Sequence, residues 1–133
     1  MAAEPLDRAG SAAWVLVVDD EPTIAVTLRD DLEEQGYHVV IAADGVQALQ
    51  RLGEGPFAAV VTDLRLPGVD GARVVREARA RSAVVGILVI SANLDGQRER
   101  LRTEGADDFL QKPFGNDEVL AWLRDRRSAR HSA

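Results

Sequence analysis

The chain has no cysteine among its 133 residues. That excludes a disulfide framework and a thiolate-ligated metal centre. No apolar run approaches the ~20 residues needed to cross a membrane as a helix. Residues Met1 to Ser11 are polar and small, without the apolar stretch of a secretory leader, so a cytoplasmic address is expected. Positive charge is outweighed: 16 basic against 22 acidic residues give a net charge of -6, which argues against nucleic acid as a direct partner. Lysine is the scarcest cation. Fifteen of the 16 basic residues are arginine, and the single lysine is Lys112. A compact ammonium is a different chemical tool from a planar guanidinium. Its sole use, beside Pro113, points to a chemical requirement at that position. Histidine is also rare. His38 and His131 have no helix-borne context that would suit phosphotransfer, so neither a kinase nor a transfer domain is read here.

What the chain does have is apolar material in short, regularly spaced runs. At 46% hydrophobic and 29% charged it has the composition of one folded domain with a core. Trp14 to Val18, Tyr37 to Ala42, Phe57 to Thr62, Val85 to Ile90 and Asp108 to Gln111 read as strands. Between them lie helical patterns. Ile24, Leu28 and Leu32 follow Pro22 and stop at Gly36. Asp44 caps a short helix carrying Ala48, Leu49 and Leu52. A turn over Leu66 to Gly71 leads to Val74, Val75 and Ala78, with Arg73, Arg76, Arg79 and Arg81 outside. The fourth helix, about Asp95 to Glu104, has Leu101 as its only large apolar anchor. The fifth runs from about Asn116 to Arg127 with Val119, Leu120 and Leu123 inward. Five strands alternating with five helices imply a parallel sheet covered on both faces. Residues 13–127 form the expected domain, and 1–12 and 128–133 the expected loose ends.

Polar residues follow four of the five apolar runs. They are Asp19 and Asp20, Asp63, Ser91, and Lys112. In an open parallel sheet, sites form beyond the carboxyl ends of the strands. Three acids, a hydroxyl and an amine should therefore meet on one rim. Asp63 suits a nucleophile that forms an acyl phosphate. Two anions do not meet unaided, and Mg²⁺ held by one or two carboxylates relieves that repulsion. Asp19 and Asp20 supply those carboxylates, with Asp63 as another. Ser91 offers a hydroxyl to one phosphoryl oxygen. Lys112 pairs with another, or with Asp63 when the site is empty. Taken singly, Asp19-Asp20 also suits a helix cap, Asp63 a turn and Ser91 a cap of the fourth helix; their joint order is what carries the reading.

The chain resembles the receiver domains of two-component response regulators. The resemblance rests on Val17-Val18-Asp19-Asp20-Glu21, on Asp63-Leu64-Arg65-Leu66-Pro67-Gly68-Val69-Asp70-Gly71, on Ser91-Ala92 and on Lys112-Pro113-Phe114, and covers about residues 13 to 127. It implies a flavodoxin-like α/β fold, doubly wound, with five parallel strands in the order 2-1-3-4-5. It implies that Asp63 takes a phosphoryl group from a sensor histidine kinase or phosphotransfer protein. Asp20, Asp63 and the backbone carbonyl of Arg65 would bind Mg²⁺ directly, and Asp19 largely through water. The Lys112–Pro113 bond would be cis, and Ser91 with Phe109 would be the switch pair. Three positions depart from the common pattern: Leu66 stands where Met is frequent, Ser91 where Thr is commoner, and Phe109 where Tyr is frequent. Phe packs inward as Tyr does but offers no outward hydrogen bond. Arg65 and Asn93 stand at positions that tune phosphate lifetime in the family.

The expected output is a changed surface around the fourth helix, fifth strand and fifth helix, controlling a downstream protein target or an output domain missing from this chain, with a phosphorylation-dependent homodimer as a further form. The six residues after the fifth helix leave no room for an output domain, so a stand-alone receiver and an excised fragment are both expected forms. Trp122, off the Val119/Leu123 stripe, either covers the core rim or meets a partner. Arg98, Arg100 and Arg102 read as a solvated face. Two other classes were weighed. A haloacid-dehalogenase-like phosphatase would use Asp19, but has Glu21 where a general acid Asp belongs and Asp107-Asp108 ahead of the lysine. A phosphorylation-independent docking module would be favoured by loss of Asp63 or Lys112, and both are present. Neither an enzyme of conventional kind nor a membrane partner is expected.

Overall fold

A computed structural model describes residues 13–132, with side chains described through Arg126. The expectation for residues 1–12 and Ala133 lies outside the described residues. The elements are β1 (Trp14–Val18), α1 (Pro22–Glu34), β2 (His38–Ala42), α2 (Gly45–Leu52), β3 (Ala59–Asp63), α3 (Gly71–Arg81), β4 (Gly86–Ser91), α4 (Arg98–Glu104), β5 (Asp108–Gln111) and α5 (Asn116–Ser132). The strands form one parallel sheet in the order β2-β1-β3-β4-β5. This is the flavodoxin-like arrangement.

The apolar runs are continuous because both faces are buried. In β1, Leu16 and Val18 point to one face, with Val60, Ile87 and Val89, under α2, α3 and α4. Val15 and Val17 point to the other, with Val61, Leu88 and Ile90, under α1 and α5. Each fully buried Val, Leu or Ile stabilises the fold by roughly 1.5–3 kcal/mol. The strand order places β1, β3 and β4 in the interior of the sheet, so the loops after them open on the same rim.

Boundaries shift where local hydrogen bonds compete. β3 starts at Ala59 rather than Phe57 and includes Asp63. Phe57 instead packs on the core from the loop before the strand. α4 starts at Arg98 rather than Asp95. There the Asn93 side chain accepts from the Asp95 amide and the Leu94 carbonyl accepts from Gln97, turning the chain before the helix begins. α5 continues past Arg127 to Ser132. Asp44 and Asp70 cap α2 and α3 by accepting from the Gln47 and Arg73 amides.

Arg79 does not lie on a solvated face. It donates to the carbonyls of Gly105, Ser82 and Ala83 and pairs with Asp107 at 2.9 Å. Asp107 also accepts from the Ile87 amide at 2.8 Å. Gly105 leaves room for this arm: a Cβ there would press on the Arg79 side chain, and its φ of +126° is one that side chains disfavour. The network ties α3, β4 and the start of β5 at the end of the sheet opposite the acidic rim.

Candidate functional site

The rim is built from strand ends. β1 gives out at Val18, and the Asp19 amide still donates to Ala42 of the neighbouring strand, which fixes the backbone of Asp19. Asp63 is the last residue of β3 and is buried, as is Asp19, while Asp20 is exposed. The backbone beyond Asp63 turns sharply under the start of α3. Gly71 is required there, because a Cβ would collide with the Asp63 carbonyl. Carboxylate oxygens of Asp19, Asp20 and Asp63 come within 4.8 Å of one another.

Lys112 reaches into this group from just beyond β5. Its Nζ donates to Asp63 Oδ2 at 2.8 Å and to Glu21 Oε1 at 3.3 Å, and stands 3.6 Å from Asp19 Oδ2. Burial disfavours the ammonium. The hydrogen bond and charge of Asp63, with the charge of Asp19 and the hydrogen bond of Glu21, more than offset that, and the Lys112 pKa is raised from its ordinary 10.5. Burial has the larger say at Asp19. It pushes that carboxyl above its ordinary 3.8, although the Glu21 amide and Lys112 pull the other way. The remaining contacts orient the two buried carboxylates. The Arg65 amide donates to Asp63 Oδ1 at 3.2 Å and the Glu21 amide to Asp19 Oδ1 at 2.9 Å. The Lys112–Pro113 bond is cis, as expected.

Ser91, the last residue of β4, is buried on the same rim. Its Oγ donates to the Asn93 carbonyl at 3.3 Å and accepts from the Asn93 amide at 3.2 Å, so it closes a local turn and caps no helix. Phe109 is half-buried on β5, against the core face that α4 covers. The Arg102 and Arg98 guanidinium groups lie over its ring, 5.1 and 5.9 Å from the centroid. Trp122 is packed against the core, donates Nε1 to Asp108 Oδ2 at 3.1 Å, and carries Arg126 over its ring. It covers the core rim.

Asp19, Asp20, Asp63 and Lys112 come together, and Ser91 ends β4 on the same rim with its hydroxyl bonded to Asn93. Three contacts were missed. Glu21, the third acid of the Asp19-Asp20-Glu21 run, is a partner of the only lysine, and its adjacency to the pair was the available signal. The ring-facing role of Arg98 and Arg102 had none, because it depends on where α4 starts.

A family model described as the response regulator receiver domain matches residues 15–124. The chain belongs to the response regulator receiver family. The receiver is 41% identical over 112 residues to the response regulator MprA of Mycobacterium sp. strain KMS, covering 83% of this chain and 48% of that protein. It thus spans about half the length of the curated relatives it matches. Its fold matches the receiver domain of the sensor histidine kinase PA1611 from Pseudomonas aeruginosa, solved with a magnesium ion coordinated in the active-site cleft. There the TM-score is 0.78 and identity 32%, over 89% of this chain and 99% of that one. The response regulator TrrA from Thermotoga maritima, solved with Mg²⁺-BeF, gives a TM-score of 0.76 at 30% identity, over 86% and 98% of the two chains. The receiver is a signalling domain of two-component systems, not an enzyme of conventional kind. Among its described residues, no helix is long and apolar enough to cross a membrane.

Proposed function

We propose that this receiver accepts a phosphoryl group on Asp63 from a phosphohistidine of a sensor kinase or phosphotransfer protein. The Asp63 carboxylate attacks phosphorus, the P–N bond breaks, and its electron pair leaves with the imidazole, which takes up a proton. Asp19, Asp20, Asp63 and the Arg65 carbonyl would hold Mg²⁺, and the cluster of carboxylates fits a hard divalent cation. When bound, the ion supplies charge neutralisation between nucleophile and phosphoryl oxygens. The observation that carries the reading is the 2.8 Å bond from the only lysine to Asp63. Lys112 keeps the acceptor oriented at rest and has an ammonium ready for a phosphoryl oxygen. The Ser91 hydroxyl, held by bonds to Asn93 of 3.2 and 3.3 Å, can exchange them for a phosphoryl oxygen. Phe109 then turns into the space that Ser91 leaves, and the surface of α4, β5 and α5 changes for a downstream protein, an output domain or a second copy of the chain. This work belongs to the cytoplasm.

The test is intact mass after incubation with Mg²⁺ and acetyl phosphate. Wild type should gain one base-labile phosphoryl group and Asp63→Asn none. A label that persists in Asp63→Asn and vanishes in Asp19→Asn would favour the phosphatase reading. No label on either protein would leave the docking module.

A further inference from the structure

We infer that Arg98 and Arg102 are positioning residues that hold the Phe109 ring outward and so set the resting balance of the switch. The inference rests on the receiver reading above and adds the group that opposes the turn. Both guanidinium carbons stand within the ~6 Å over which a cation is attracted to a ring face. The two residues are four apart on α4, on one face of the helix and one turn from each other, so the ring is met at two points.

Several of the neighbouring arginines are engaged elsewhere. Arg76, Arg79 and Arg81 on α3 and Arg126 on α5 each pair with a carboxylate, and Arg100 donates to Gln97. Among the described ion pairs neither Arg98 nor Arg102 has an acidic partner. The ring is what they share. α4 is otherwise lightly fixed, with seven residues, no side-chain bond at its N-cap, Leu101 as its buried residue and the Arg76–Glu104 ion pair at its last residue. Two modest ring contacts therefore weigh heavily on where this helix and this ring sit. An inward ring loses both cations while the outward ring keeps them, and such differential contact is what moves a two-state equilibrium. At the lower end of cation–π strength the pair shifts the balance about fivefold toward the outward state.

The experiment uses protein labelled with 4-fluorophenylalanine, read by fluorine NMR at rest and during titration with Mg²⁺ and beryllofluoride. Phe57 and Phe114 serve as internal references. Arg98→Gln/Arg102→Gln should move the resting Phe109 resonance toward its beryllofluoride position and tighten apparent beryllofluoride affinity about fivefold. Arg98→Lys/Arg102→Lys, which keeps a cation near the ring, should return both readings to near wild type. An unmoved Phe109 resonance in the Gln pair overturns the inference. So does an equal response in the Gln and Lys pairs, which would make the arginines packing material. If no variant responds to beryllofluoride, the receiver reading fails, while the resting resonance still decides the role of the arginines.

Discussion

β3 is the middle strand of the sheet and α4 covers one of its faces, and the two are held in opposite ways. All five residues of β3 are buried, and the strand is hydrogen-bonded to β1 on one side and β4 on the other. α4 has seven residues with only Leu101 buried, and it lies over β5, an edge strand whose end residues are exposed. Asp63 ends the first element, and the Phe109 ring lies under the second. On the proposed reading the chemistry would be stationed where the backbone is over-determined, because nucleophile, lysine and neighbouring acids must keep their spacing. The readout would be stationed where few contacts must be given up to move.

The sharpest way to test this difference is to remove one fully buried leucine from β1, the strand paired with β3, and one from α4. Leu16→Ala, in the interior strand β1, should cost about 4 kcal/mol in denaturant unfolding and lower protection throughout the sheet. Next in size is metal binding at the rigid rim. Mg²⁺ at a hundred times its dissociation constant should stabilise the whole chain by about 2.7 kcal/mol. The melting temperature should rise with Mg²⁺ in wild type and stay fixed in Asp20→Asn, with hydrogen exchange in α4 little changed by the ion. Leu101→Ala should cost about 2 kcal/mol, because a lightly anchored helix can settle into the space. Its signature is faster amide exchange confined to α4. A loss equal to that of Leu16→Ala, spread over the sheet, would break the comparison.

The smallest effect is a gain. Asp19 is buried beside other acids, and its carboxyl is raised above its ordinary 3.8 mainly by burial. Its contribution to stability is therefore complete below that value and is lost as pH climbs through the raised one. Without metal, Asp19→Asn should match wild type in acid and be the more stable protein near neutrality. Melting curves across that range check it; a mutant that is less stable at neutral pH would reverse the assigned cause.

The rim was legible in the sequence because each polar residue follows a run that has to be a strand. A buried parallel strand ends abruptly in composition, and Val18-Asp19 and Thr62-Asp63 show it. The sheet order came through resemblance, since alternating periods give a parallel sheet without saying which strand lies beside which. Arg79 was misplaced for a different reason. Its helical position points away from Val74, Val75 and Ala78, but the long side chain reaches the Gly105 carbonyl and Asp107, partners 26 and 28 residues away. The same limit hid the arginines over Phe109: helical spacing gives a face, while what that face meets depends on where the preceding turn sets the helix. Trp122 was off the stripe by angle, and its size alone carried it back to the core edge, with Asp108 taking its indole N–H.

Lys112 gives the chain a further property, one of reagent chemistry. Acylating agents and amine-directed crosslinkers attack the neutral form of an amine, and among side chains this sequence presents one such group. Modification there would remove the charge beside Asp63, so no harmless lysine is available to absorb a reagent or carry a tag. The same pairing shields the amine. With its pKa raised and its protons shared with Asp63 and Glu21, Lys112 is almost wholly protonated near neutrality, the form that does not react.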